Sequence, residues 1–363
     1  YMVVPRGVAL VFGCSTFPNW NAYPGLFASL ACGNPVIVKP HPGAVLPLAI
    51  TVAVARQVLK EAGQSPDLVS LLADAADKPV ARDAALNPDV RLIDYTGGGS
   101  FAAWLLENAR QARVSVAQAG VNGVVVDSTD DYAGMLRNLA FSLCLFSGQM
   151  GTTPQAIFVP RDGIGTPAGR VASGRFGVDL ALAVGQLLRD DPRAMDILGA
   201  IQSPSTRARI EALAAHGEVL RESESFQHPV WPSARIATPL LLAVGADEQV
   251  LYGEERFGPV GFVVESATTV ESLAGVERLV RSRGAHNLSV HTTNPHVQDL
   301  AEELAWRAGV SVSFNLTGGA VVNLSHAFSD FHSTGANPAA NASMTDAAFV
   351  AGRFFVVQVR RPV

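Results

Sequence analysis

Charge is scarce in this sequence. Only 16% of its 363 residues are Asp, Glu, Lys or Arg, against about 25% in an average soluble domain. The net charge is −5 and no basic stripe runs along any segment, so the electrostatic footprint of a nucleic-acid partner is missing. A basic amphipathic helix fit to lie on a membrane is missing too. Cysteine is nearly absent: Cys14, Cys32 and Cys144 stand at spacings that fit neither a disulfide framework nor a metal site. Scattered thiols of this kind predict a reduced, cytoplasmic protein without a bound metal. Long apolar runs are also lacking. The most hydrophobic stretch, 45–58, is broken by Pro47, Thr51 and Arg56 and is too short to cross a bilayer. No signal peptide, internal repeat or low-complexity linker is visible.

Apolar residues make up 48% of the chain, and its length holds two domains with sizeable cores. So apolar a chain predicts an oligomer that hides further surface, a homodimer or tetramer. The chain opens in mid-pattern, with Val3, Val4, Pro5, Arg6 and Gly7 leading into a strand, which predicts upstream sequence.

Between residues 7 and 120, short apolar runs alternate with segments of helical period. Strands are expected at 7–13, 35–39, 68–72 and 90–95, with helices at 24–32, 46–62, 77–86 and 101–112. The stops are chemical: Gly33-Asn34 after the first helix and Gly63 after the second. Such alternation with short connections implies a doubly wound parallel sheet with helices on both faces. The rhythm continues beyond Gly120, with strands at 124–126, 156–159, 240–244, 260–264 and 288–291. Helices are expected at 131–146, 270–283 and 295–308, and across 178–216 with a break at Asp191-Pro192. The Gly/Ala/Asn/Ser-rich tract 333–344 reads as an ordered surface tail. The strand 354–359 has no evident local partner, which predicts pairing with another subunit.

Thr96-Gly97-Gly98-Gly99-Ser100 lies after a strand and before a helix, where a dinucleotide-binding loop belongs. Glycine lets the backbone approach a pyrophosphate, and the helix start offers N–H groups and a positive dipole. Ser100 is placed to cap that helix. An ordinary strand-to-helix turn explains the motif equally well. Lys39 ends a strand, from where its ammonium can reach a ribose or phosphate, though a lone lysine there is more often simply solvated.

Several segments in order carry more weight than any one motif. They are Pro5-Arg6-Gly7-Val8, Phe17-Pro18, Gly33-Asn34 with Pro35–Pro40, Tyr95-Thr96-Gly97, Gly148-Gln149, and Glu254–Val260 with its Glu-Glu-x-Phe-Gly-Pro-Val pattern. The series resembles the aldehyde dehydrogenase superfamily over nearly the whole chain. Further segments are similar to the ring-cleavage aldehyde dehydrogenases of aerobic phenylacetate degradation: 13–21, 39–42, 119–122, 148–155, Phe328–His332 and Thr334–Ala339.

The resemblance implies an aldehyde dehydrogenase-like α/β fold: a Rossmann-type NAD(P) domain over 6–118, an α/β catalytic domain over 119–330, and a tail with an oligomerisation strand over 331–363. It implies nucleotide contacts at Lys39, Thr96, Gly97, Gly98 and Glu255, with Phe257 near the nicotinamide. NAD-specific relatives often carry glutamate three residues after the lysine; Pro42 stands there, so NADP is the expected cofactor and NAD the alternative. The implied substrate is an aldehyde, a semialdehyde carried on a coenzyme A thioester. Oxidation in this family needs a thiolate that attacks the carbonyl and a carboxylate that activates water. The nucleophile position is residue 151, which is glycine; the general-base position is 117, which is alanine; the oxyanion amide position is Thr16. The chain is therefore expected to be catalytically inactive, or else a non-catalytic nucleotide-binding scaffold. Cys144, seven residues before Gly151, reads as a core thiol. His41 and His332 are weaker candidates for phosphate or substrate contact.

Overall fold

The computed structural model describes residues 1–319, 333–344 and 346–362; Phe328–His332, and with it the His332 expectation, lies outside them. The chain forms two compact units, one of residues 1–118 and 340–363, the other of 119–339. The expected tail of 331–363 is therefore divided: 333–339 belong to the second unit and 340–363 return to the first.

The first unit is built on a five-stranded sheet whose spatial order is Val69–Leu71, Val36–Lys39, Val8–Phe12, Val90–Thr96 and Arg113–Ala117, every pair parallel. The strands are near-continuous apolar runs because both faces are covered. Ala9 and Val11 face a core with Leu26, Leu48 and Val52 of helices Pro18–Ala31 and Val45–Glu61. Leu10 and Phe12 face the other, with Ile93, Leu105 and Ala109. From Val8–Phe12 the chain steps outward through 36–39 to 69–71, then returns to 90–96 and 113–117 on the opposite side. The carboxyl ends of Val8–Phe12 and Val90–Thr96 thus flank a topological switch point, where open α/β sheets bind their ligands.

Strand Arg113–Ala117 was not expected from sequence. Its outer edge is closed by Asn341, whose Oδ1 accepts from Val116 N and whose Nδ2 donates to Val114 O. That partner lies over two hundred residues away, so no local pattern announces it. The terminal strand, Phe354–Val357, has a partner within its own chain that the sequence did not announce: it pairs antiparallel with Met2–Pro5. Just before it, Arg353 forms two hydrogen bonds with buried Asp94, at 2.9 and 2.7 Å, and a third with Ser29. The returning segment is thereby fixed to strand 90–96, beside the central strand Val8–Phe12.

The second unit holds a seven-stranded sheet ordered Glu218–Arg221, Leu240–Gly245, Val260–Ser266, Pro154–Pro160, Asn122–Val126, Asn287–His291 and Ser311–Phe314. Only Glu218–Arg221 runs antiparallel. Along Pro154–Pro160, Ala156 and Phe158 enter one core and Ile157 and Val159 the other. The helical stretch expected over 178–216 resolves into Ser173–Leu187, Asp191–Leu198 and Pro204–Leu213, the last two each starting with proline in the first turn. Strands 218–221 and 311–314 escaped the sequence reading, being short edge strands with little apolar signal.

Candidate functional site

In the first unit Lys39, Thr96 and Ala117 each end a strand, and Thr16 follows Phe12 by four residues. All four therefore stand at the carboxyl edge of one sheet. Gly97 N donates to Ala117 O at 3.0 Å, which ties the loop to the edge strand. Helix Gly99–Asn108 starts two residues earlier than its expected cap allows: Gly98 is the N-cap and makes no side-chain bond, and Ser100 sits inside the first turn. A Cβ on Gly97 would collide with the Tyr95 hydroxyl and one on Gly99 with Gln118, while one on Gly98 would meet nothing. Packing against the Tyr95 ring thus favours glycine at 97, Gln118 would have to shift for a side chain at 99, and Gly98 leaves an open backbone approach to the helix start.

Lys39 is not a solvated surface lysine. Its Nζ lies 2.5 Å from Asp74 Oδ1 and 3.0 Å from Pro40 O, with the Lys39 and Asp74 side chains only 6% and 2% exposed. The second Asp74 oxygen accepts from Val80 N. His41 Nδ1 accepts from Gly43 N, and burial, then the Lys39 charge, holds its pKa below the ordinary value despite Asp74. A neutral imidazole facing its own turn is a poor phosphate ligand. Thr16 lies in the turn before helix 18–31, its hydroxyl 3.8 Å from Cys14 Sγ; that sulfur accepts from Phe17 N and Asn21 Nδ2.

In the second unit the segment 148–155 is held by carboxamides. Gln149 Nε2 donates to Phe146 O and Ala200 O, and its Oε1 accepts from Gln202 N. Gln155 grips the Tyr252–Arg256 turn in the same manner, donating to Tyr252 O and Glu254 O and accepting from Arg256 N. Buried Asn122 donates to Gly151 O (2.8 Å) and Thr153 O (3.1 Å) and accepts from His286 N and Asn287 N. Asn287 Nδ2 completes the clamp on Thr152 O at 3.1 Å. Gly148, at φ +63°, allows no side chain because a Cβ would strike Gly258 O. Gly151 differs: its backbone suits any residue, and its Cβ would lie 3.3 Å from His286 Cδ2 and 3.5 Å from Nε2. Cys144 is a core thiol pushed up to about 12 by burial, which removes it as a nucleophile.

Glu255 Oε2 accepts from Gly120 N at 3.1 Å. Burial raises its pKa, opposed by the Gly120 and Ala119 N–H groups and the nearby Arg209 charge. Arg209 also donates to Phe257 O. Gly120, Met150, Thr153, Glu255 and Phe257 border a small cleft that opens to solvent. Among the described residues no cluster of His, Cys, Asp and Glu could hold a metal, and no helix is long and apolar enough to cross a membrane.

The family model described as "Aldehyde dehydrogenase family" matches residues 1–329. The chain belongs to the aldehyde dehydrogenase family. A solved aldehyde dehydrogenase, the NAD-dependent protein of Burkholderia multivorans, is 52% identical with a TM-score of 0.95, covering 98% of this chain and 64% of its own. The 2-aminomuconic 6-semialdehyde dehydrogenase of a Pseudomonas species is 25% identical over 85% of this chain and 61% of its own length. The N-succinylglutamate 5-semialdehyde dehydrogenase of Paraburkholderia xenovorans is 27% identical over 74% and 53%. This aldehyde dehydrogenase chain thus spans between half and two thirds of the length of these three relatives.

Of the residues expected to form the site, Thr16, Lys39, Thr96, Gly97, Gly98 and Ala117 fall in the first unit and Gly151, Glu255 and Phe257 in the second. The sequence reading assigned no part to Asp74, Asn287 or His286, and named Asn122 only as a motif letter. Polar residues inside apolar strands, such as Asn122 and Asn287, are the signal available: buried amides persist where their bonds are needed.

Proposed function

We propose that this protein is built for nicotinamide-dependent oxidation of an aldehyde to an acid, and that its substrate class is a semialdehyde carried on coenzyme A, formed when an aromatic ring is opened. Relatives named for semialdehydes support the class, and segments 13–21, 119–122 and 148–155 support the narrower choice. The residues fit a dinucleotide: the open approach at Gly98, the helix start behind it and Lys39 share the switch-point edge of the first unit. Thr96 and Gly97 would line the same loop, and the family resemblance gives Glu255 and Phe257 to the nicotinamide end. When bound, the nicotinamide accepts a hydride.

The observation that carries the reading is the clamp on 151–153. Two buried asparagines hold the backbone where a nucleophile would stand, yet residue 151 brings no thiol and residue 117 no carboxylate. Thr16 offers a hydroxyl as the oxyanion donor. We therefore propose that this chain binds the dinucleotide without turning over aldehyde, in a cytoplasmic dimer or tetramer. Calorimetry with NAD and NADP, beside aldehyde-dependent nucleotide reduction, tests both halves. Heat on nucleotide addition with no reduction by any semialdehyde is expected; turnover, or no nucleotide binding, rejects the proposal. The Lys39–Asp74 pair favours a scaffold that still selects its nucleotide.

A further inference from the structure

The expectation of NADP rested on Pro42, because no carboxylate near Lys39 was visible in the sequence to repel a 2′-phosphate. The fold supplies one from the neighbouring strand. Val36–Lys39 pairs in parallel with Val69–Leu71, so the segment following each strand leaves the same edge of the sheet. Asp74, three residues beyond Leu71, meets the Lys39 ammonium there. We infer that Asp74 makes this chain select NAD over NADP, by cancelling the Lys39 charge that a 2′-phosphate would need.

The inference rests on the reading that a dinucleotide binds at this edge. Lys39 has three N–H donors; Asp74 and Pro40 O take two. The third can serve a neutral ribose hydroxyl at little cost. A 2′-phosphate needs more: its charge of nearly two wants an uncompensated cation, as arginine provides in NADP sites, whereas a carboxylate beside the ribose is the NAD arrangement. Asp74 is fixed in place, since its other oxygen is bonded to Val80 N. It cannot swing away to free the lysine without leaving a backbone N–H and a carboxylate both buried and unpaired. Lys78, exposed on the turn after Asp74, is the nearby cation able to oppose this, and the native affinity ratio measures its influence directly.

The test is calorimetric titration of the native chain and of Asp74→Asn with NAD, NADP, 5′-AMP and 2′,5′-ADP. The amide keeps an acceptor for Lys39 and removes the charge. We expect NAD to bind the native chain at least tenfold more tightly than NADP, and AMP to be preferred over 2′,5′-ADP in the same sense. In Asp74→Asn the NAD affinity should change less than threefold while the NADP affinity rises about tenfold. Native binding that favours NADP, or a ratio unmoved in the variant, overturns the inference while leaving nucleotide binding intact. Binding of none of the four rejects the site itself. The native ratio decides the matter even if the variant does not fold.

Discussion

Restoring a thiol at residue 151 is the most direct probe of the catalytic geometry. Gly151 has a backbone conformation open to any residue, and the closest neighbour of the new Cβ is the His286 ring at 3.3 Å. The ring must yield by a few tenths of an ångström. If it cannot, overpacking costs about 1–3 kcal/mol, which calorimetric melting will register. His286 is buried and its Nε2 would lie 3.5 Å from that Cβ, close enough for the imidazole to draw the thiol proton. Gly151→Cys should therefore alkylate with iodoacetamide well below the pH at which an ordinary cysteine reacts. Labelling must be read peptide by peptide, because Cys14 and Cys32 are partly accessible. With nucleotide and a semialdehyde, the variant should give a burst near one equivalent of reduced cofactor per site and then slow turnover, since Ala117 provides no base. Adding Ala117→Glu should speed the slow phase far more than the burst. A folded, nucleotide-binding Gly151→Cys protein that gives no burst, and no label on the peptide carrying the substitution, would refute the assignment of this position.

Other consequences are thermodynamic. Arg353→Ala strips the bidentate partner from Asp94 and should cost about 3–5 kcal/mol in urea unfolding. The loss should lie near the lower end, because burial already raises the Asp94 pKa and the orphaned carboxyl will protonate; Arg353→Lys should not restore it, and a loss under about 1 kcal/mol refutes the anchor. His291 is held neutral by burial, its pKa lowered to about 4. Between there and its ordinary value near 6.5 the unfolded chain binds the proton first, so stability should fall as pH drops through that window, by up to about 3 kcal/mol. His291→Phe should flatten that slope, and equal slopes in both proteins would refute the assignment. Asn122→Asp keeps the acceptor for His286 N and Asn287 N but turns oxygen towards Gly151 O and Thr153 O, and should cost at least about 3 kcal/mol; a neutral result would mean the clamp is not needed.

The elements whose apolar period is strong were legible: Val36–Lys39, Val45–Glu61 and Pro295–Ala308 lie within a residue or two of their expected bounds. Arg113–Ala117, which was missed, is an edge strand that owes its outer hydrogen bonds to distant Asn341. The expected terminal strand, Phe354–Val357, owes its ladder within this chain to Met2–Pro5. Apolar patterning reports burial against a core and is silent about which distant backbone completes an edge. The same limit hid the intrachain partner of the terminal strand, which stands at the other end of the sequence.

The site divides along a similar line. Lys39, Gly98 and Glu255 could be proposed from residue type and order alone, because that information is local. Asp74 could not, because its meaning arises only when parallel pairing brings the ends of two strands together. Pro42 was silent on this pair for the same reason: the carboxylate absent from its own segment is supplied by the segment after the neighbouring strand. The carboxamides argue further. Gln149, Gln155, Asn122 and Asn287 all bond backbone rather than substrate, so they fix the path of 148–155 whatever residue 151 is. On the proposed reading of residue 151 as the nucleophile position, glycine there removes a reactive side chain and leaves intact the frame of side-chain hydrogen bonds to the backbone around it.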